Sequence, residues 1–274
     1  MTSPIIRKRR EHKGRGYYMA DIDFDAALKA RMGAGLQFNR DRAVKALRTA
    51  VKHVDSTFAE TIDSIEAVRS NRDMKAEAIK RKTDEIAADF IKSVQEMAAW
   101  ADDEATGLLN GFSALIPVRD LKESDMGSHL RDQELRAFLR NLDTKERRLL
   151  LRECESGKHP ELTAAMLRGP AMLSGITEEQ KVSLANAGVV SSNPDEVKQY
   201  QALLGMSSEV RRTLSQAAEA VGKASGNEYF VNLAKGLSVG QTEQCLRDLI
   251  ESLPLERLPA EPVPEEPEVP EAAA

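Results

Sequence analysis

Three things are scarce in this 274-residue chain, and each scarcity removes a class of answer. Aromatic residues make up only 4% against 30% charged, a balance that is lean for a globular enzyme and ordinary for exposed helices. Cysteine occurs twice, at Cys154 and Cys245. The two match no zinc or redox spacing, so they read as half-buried apolar residues of a reducing compartment. No run of about 20 apolar residues is present, so no membrane span is expected. The basic N-terminus lacks the apolar stretch that completes a secretory signal. The expected location is the cytoplasm, or the virion if the protein is viral.

Catalytic motifs are missing as well. The sequence has no glycine-rich loop ending in Gly-Lys-Ser/Thr, no Gly-x-Ser-x-Gly elbow, no His-Glu-x-x-His and no Cys-x-x-Cys. Gly33-Ala34-Gly35 lacks a third glycine and a preceding strand. The histidines His12, His53, His129 and His159 have no histidine or cysteine at ligand spacing, and each reads as satisfied or solvated. Asp21, Asp23 and Asp25 resemble the opening of a calcium loop, but its sixth position is Ala26 and its twelfth Met32, where glycine and glutamate are required. Asp23 or Asp25 is better placed to cap a short helix ended by Gly33 and Gly35. Acidic pairs such as Asp102-Asp103 come with no sign of a pocket to shift their pKa values. No catalytic residue, metal ligand or cofactor is expected, and the chain does not read as an enzyme.

The most telling absence is local. From Leu36 to Thr106 there is neither glycine nor proline, the two residues that most strongly interrupt helices. As one straight helix this stretch would reach about 105 Å. With no alternating β-branched run elsewhere, the expected fold class is all-α: a long helix or helical hairpin over about 36–106, a bundle of short helices, and disordered termini.

Within the long stretch, Val44, Leu47, Val51, Val54, Phe58, Ile65 and Val68 fall on a- and d-type positions, Thr61 being the weak site. This is about four heptads of apolar seam, enough for a coiled coil, and its β-branched residues suit parallel dimers or trimers. From Arg69 to Lys82 charge replaces the seam. It resumes in a shifted frame through Ile79, Ile86, Phe90, Val94 and Met97. Either a rod with a stutter or a hairpin turning at Ser70-Asn71-Arg72-Asp73 explains the break. The missing glycine and proline favour the rod, whose seam would pair chains into a homo-oligomer.

Flanking segments have distinct textures. Residues 1–18 form a basic arm carrying Arg7, Lys8, Arg9, Arg10, Lys13 and Arg15, followed at once by Tyr17 and Tyr18. Cations interleaved with aromatics suit phosphates and bases, and Arg40, Arg42, Lys45 and Arg48 could extend such a surface. Residues 1–53 carry a net +8, and the remainder −13. Residues 19–35 read as a short helix and glycine linker, and 36–110 as the coiled-coil segment. The span 118–253 reads as one compact bundle of about seven short helices. Its signals are Asp143 with Glu146, Pro160, Thr177 with Gln180, and Asn193-Pro194, with stops at Gly157, Gly169, Gly188 and Gly205. Ser208 opens a further helix to about Val221, followed by helices at 228–235 and 241–252. The clusters Lys80-Arg81-Lys82, Arg147-Arg148 and Arg211-Arg212 read as solvated faces. The tail 254–274 holds six of the eleven prolines and six glutamates and reads as a disordered acidic segment.

The expected function is that of a non-enzymatic scaffold-type protein, working through contacts with copies of itself and other structural proteins in an assembly such as a bacteriophage particle. A nucleic-acid-binding accessory protein using the basic arm is the alternative.

Overall fold

A computed structural model describes residues 7–20, 22–29, 34–112, 115, 118, 121–238 and 240–255. The tail beyond Leu255, Met1–Ile6, Asp21 and Gly33 lie outside the described residues. The chain divides into two compact units, residues 1–117 with 195–252, and residues 118–194 with 253–274. The fold is mostly helical, as expected from the composition.

The first unit opens on two antiparallel strands, β1 (Arg7–His12) and β2 (Arg15–Ala20). They are joined by a tight turn in which Lys13 and Gly14 both take positive φ, as a two-residue hairpin requires. Residues 7–18 are therefore a structured β-hairpin and not a flexible arm. No alternation of β-branched residues announces it. It is stabilised by side chains that dock on the helices, described below. A short helix, α1 (Phe24–Lys29), follows.

The long stretch forms two helices, α2 (Ala34–Ser70) and α3 (Ala76–Phe112). The rod expectation is thus corrected to a hairpin, and Gly35 lies inside α2 and not in a linker. The turn needs no glycine or proline because Asn71 supplies it: its side-chain oxygen accepts the Asp73 amide at 3.0 Å, while its own amide bonds Val68 O at 3.3 Å. Asparagine competes in this way with the helical ladder. Arg42 meets Glu104, His53 meets Ser93 and Phe58 meets Phe90. Each step forward on α2 is therefore a step back on α3, and the helices run antiparallel.

Val44, Leu47, Val51, Val54, Phe58 and Ile65 are buried within the one chain, and Val68 is half-buried near the turn. The seam expected between chains is in this structure an intrachain one. Two sets of residues cover it. One is the shifted-frame stripe of α3, with Phe90, Ile91, Val94 and Ala98; the other comes from α8 (Pro194–Ser225). In α8, Val210, Leu214, Ala217, Val221 and Ala224 recur at alternating spacings of four and three, as in a coiled-coil seam. The charged gap from Arg69 to Lys82 is the solvated end of the hairpin.

The expected helix stop at Gly205 is overturned, since α8 runs through Gly205, Ser207 and Ser208 without a break. A glycine in a helix costs about 1 kcal/mol, and burial of Leu203 and Val210 on either side offsets it. Two further helices, α9 (Glu228–Lys235) and α10 (Gln241–Glu251), pack on α3. At Gly222, a Cβ would come within 2.9 Å of the Val231 amide and 3.1 Å of Phe230 C, so glycine lets α8 and α9 approach closely. The span expected as one bundle is consequently divided, its last three helices belonging with the hairpin.

The second unit comprises α4 (Met126–Asn141), α5 (Thr144–Glu155), α6 (Pro160–Arg168), a 3-10 turn (Ala171–Ser174) and α7 (Glu178–Ser192). Its punctuation follows the sequence signals closely. Asp143 accepts the amides of Lys145 and Glu146, both at 2.8 Å. Thr177 and Gln180 form a reciprocal capping box, Pro160 opens α6, and Gly157 takes a φ of 81°. α7 passes through Gly188 and ends at Ser192. The core consists of Leu139, Leu151, Cys154, Leu162, Met166, Ala171, Ile176 and Leu184.

Arginine ties the small unit together. Arg147 donates to the carbonyls of Leu139, Arg140, Leu142 and Gly175, and so satisfies orphan acceptors at the end of α4. Arg168 grips Asp132 through two bonds of 2.7 Å. The cluster Arg147-Arg148, expected to be wholly solvated, therefore splits: Arg147 is a structural tie and Arg148 faces solvent.

Candidate interaction surfaces

The basic hairpin was the clearest candidate site in the sequence, and the structure shows where its cations go. Arg7 is held by Glu209 of α8 at 2.6 Å, and Arg10 by Asp55 of α2 at 3.0 Å. Lys13 bridges Asp63 at 2.6 Å and Glu66 at 3.2 Å, and His12 contacts Asp63 at 2.8 Å. Arg9 pairs within β1 with Glu11. The partners respond electrostatically. The hydrogen bond and charge of Arg7 hold the Glu209 carboxyl below the usual carboxylate range, and Lys13, then His12, do the same for Asp63.

Tyr17 anchors the hairpin from beneath. It is almost fully buried, its ring stacks edge-on against Phe58 at a centroid distance of 4.9 Å, and burial pushes its phenol pKa up. Tyr17 is therefore a core residue and is not available as a stacking platform for bases. Tyr18 remains exposed, and its amide donates to Gln216 of α8 at 3.0 Å.

The proposed extension of the basic surface is likewise occupied. Arg40 is fully buried and bonded to Asp41, Arg42 pairs with Glu104, and Arg48 with Asp25; Lys45 stays exposed. A polar cleft of about 360 Å³ lies between the hairpin and α8. Of its three cations, Arg9 is paired with Glu11 and Lys223 with Glu219, while Arg15 has no ion-pair partner among the described residues. The positive charge that stands out in the sequence is thus largely matched by carboxylates from distant parts of the same unit.

Arg211 is the opposite of a solvated face. Nearly fully buried on α8, it donates to Asp102 at 2.8 Å and to the Ala98 carbonyl at 3.3 Å, tying α8 to α3. Tyr200, one helix end away, donates to the Leu108 carbonyl at 3.0 Å and packs edge-on against Phe112. Asp102, one of the plentiful acidic residues in the sequence, is therefore a structural counter-ion.

The histidines all have ordinary partners: His12 with Asp63, His53 with Ser93, His129 with the Lys122 carbonyl, His159 with Glu153. Among the described residues no group of three or more histidine, cysteine or acidic side chains could hold a metal ion. Cys154 is buried, with its thiol pKa raised by that burial, and Cys245 is exposed and free. A void of about 20 Å³ between Ala43, Leu47, Ala105, Leu108 and Leu203 has room for about one water molecule. No helix among the described residues is long and apolar enough to cross a membrane.

What distinguishes the second unit is its surface. Met126, Leu130 and Phe138 on α4, Leu149 on α5, Met172 and Leu173 on the 3-10 turn, and Val182 on α7 are all exposed. These are seven of the ten large apolar side chains exposed among the described residues, on a unit that holds far less than half of the chain. Met126, Leu130 and Phe138 fall at multiples of four along α4, with the exposed Glu134 between Leu130 and Phe138. The α4 sequence carried this signal, because its large apolar residues are spread around the helix and not confined to one core stripe. Only Leu139 among them is fully buried, with Leu135 partly so.

Compared with family models, with curated proteins and with solved structures, the chain matches none.

Proposed function

We propose that this chain is a non-enzymatic assembly protein that self-associates and meets other structural proteins through the α4 face of its second unit. The observation that supports this most directly is the concentration of exposed large apolar side chains on that unit, with Met126 at 65% and Met172 at 77% exposure. Exposed apolar clusters on small soluble units mark association surfaces, because water pays no compensation for leaving them bare. The seam on α2 does not serve this purpose, since its side chains are covered by the chain itself. The hairpin acts as an internal brace, which weakens the nucleic-acid reading: three of the six cations that reading names, Arg7, Arg10 and Lys13, are engaged by Glu209, Asp55, Asp63 and Glu66.

Light scattering on the full-length protein tests the proposal. The expected mass is a multiple of the 30.2 kDa chain. Replacing Leu130 and Phe138 together with glutamate is expected to return it to one chain while leaving helical content intact, because both side chains are solvent-exposed. A wild-type mass of one chain at every accessible concentration would overturn the reading, as would an unchanged oligomer in the double variant.

A further inference from the structure

Among the described residues of the second unit, the side chains of Lys122, Arg140, Lys145, Arg148 and Arg152 have no hydrogen-bond or ion-pair partner, and two of these, Arg148 and Arg152, share a cleft. Arg148 and Arg152 sit one helical turn apart on α5 and are exposed. Among the described residues neither guanidinium has a hydrogen-bond or ion-pair partner. Both line a cleft of about 360 Å³ against α7, with Leu151 and Leu184 as its apolar floor and Gln180 and Glu155 at its polar edge. Glu155 is engaged by the Ser183 hydroxyl at 3.1 Å. Lys145 lies on the same face of α5, three residues before Arg148, and the exposed Leu149 and Val182 stand on the two helices that form the cleft. The neighbouring Arg147 spends its donors on backbone carbonyls, so the free pair is a property of this face and not of the local sequence in general.

We infer that the α5–α7 cleft docks an acidic segment of a partner protein, one that alternates carboxylates with apolar side chains. Charge complementarity carries the choice. Two unengaged guanidiniums at i and i+4 match two carboxylates on one extended or helical segment, each able to bond bidentately. The apolar floor then receives the side chains between them. A nucleic acid fits less well, because the lining includes no aromatic ring on which a base could stack, and Glu155 opposes a continuous phosphate backbone. The inference deepens the assembly reading by naming the chemistry of one partner, and rests on that reading only in taking the ligand to be a protein.

The test uses the full-length chain and a short fluorescein-labelled peptide of glutamate, leucine and alanine. Its lysine-for-glutamate counterpart and a single-stranded DNA oligonucleotide serve as comparisons. Fluorescence anisotropy should show binding of the acidic peptide alone. Affinity is expected to fall at least about tenfold in Arg148→Glu/Arg152→Glu, in keeping with the loss of charge-assisted hydrogen bonds. Arg148→Gln/Arg152→Gln should show a similar loss, and it guards against a folding defect in the charge-reversed pair. Arg72→Glu/Lys75→Glu, on the exposed α2–α3 turn, changes net charge equally and should leave binding unchanged. No binding of the acidic peptide, equal binding of the DNA, or an equal loss in the turn variant would each overturn the inference. Scattering on the same samples separates the two claims: self-association without peptide binding defeats only this one, and peptide binding without self-association defeats only the assembly reading.

Discussion

Replacing Asp102 with alanine is expected to destabilise the protein by about 3–5 kcal/mol, the usual cost of leaving a buried charge without its partner. Arg211 cannot escape to solvent. It is buried on α8, and its guanidinium lies between Asp102, the Ala98 carbonyl and Gly240. A Cβ added at Gly240 would collide with both the Arg211 guanidinium and the Asp102 carboxylate, so the ion pair is enclosed on that side by a glycine. Two further variants sharpen the result. Gly240→Ala should destabilise through the same pair, by crowding it. Asp102→Leu combined with Arg211→Met should recover much of the loss, because paired apolar replacements remove both charges together. Urea melts of the single and double variants measure the coupling. A loss below about 1 kcal/mol for Asp102→Ala would show that the pair behaves as an exposed one.

Phe58→Ala is the second large effect, expected at about 3–5 kcal/mol for removal of a buried aromatic ring. Phe58 is only 4% exposed and stands at the junction of three elements, meeting Tyr17 from β2 at 4.9 Å and Phe90 from α3 at 6.4 Å between ring centroids. Its loss should therefore loosen the β-hairpin more than the remainder of the unit. Hydrogen exchange is the appropriate readout: amides of 7–20 should lose protection beyond the global change, because the exposed ion pairs of Arg7, Arg10 and Lys13 are each worth little without the Tyr17 anchor. Uniform loss of protection across α2, α3 and the hairpin would contradict this role for the ring.

Much of the fold is legible in the sequence, though unevenly. Wherever a local signal is complete, the element follows: Thr177 with Gln180, Asp143 before α5 and Pro160 at the start of α6 open helices where side-chain chemistry requires them. The interruption-free run from Leu36 to Thr106 is helical almost throughout. Its turn is harder to read, since Asn71 breaks the ladder through its own side chain in a stretch without glycine or proline. The partner of the α2 seam is harder still. The seam spacing states that an apolar face must be covered, but not whether another chain or the same one covers it. The decisive signal was the second seam in α8, Val210-Leu214-Ala217-Val221-Ala224, obscured by its alanines and by Gly205 and Ser207-Ser208, which resemble a helix stop.

Charge misleads in a related way. Arg7 to Arg15 are clustered in sequence, and that suggests a surface for phosphates. The carboxylate partners of Arg7, Arg10 and Lys13 lie some 40 to 200 positions away, so their neutralisation is invisible until the chain folds. Arg211 and Arg148 show the converse: each sits in an unremarkable arginine pair, and only tertiary packing makes one a buried tie and leaves the other facing an open cleft.

The central claim is that the apolar faces of α2 and α3 cover each other within one chain. Site-directed crosslinking tests it most directly. In a full-length protein with Cys154→Ala and Cys245→Ser, cysteines are introduced at His53 and Ser93, which touch across the hairpin at 3.0 Å, and joined with a short bismaleimide. The hairpin requires a crosslinked product with the mass of one chain, formed in the same yield at all protein concentrations. A product of two-chain mass, increasing with concentration, would instead mean that the seam pairs separate chains as an extended rod.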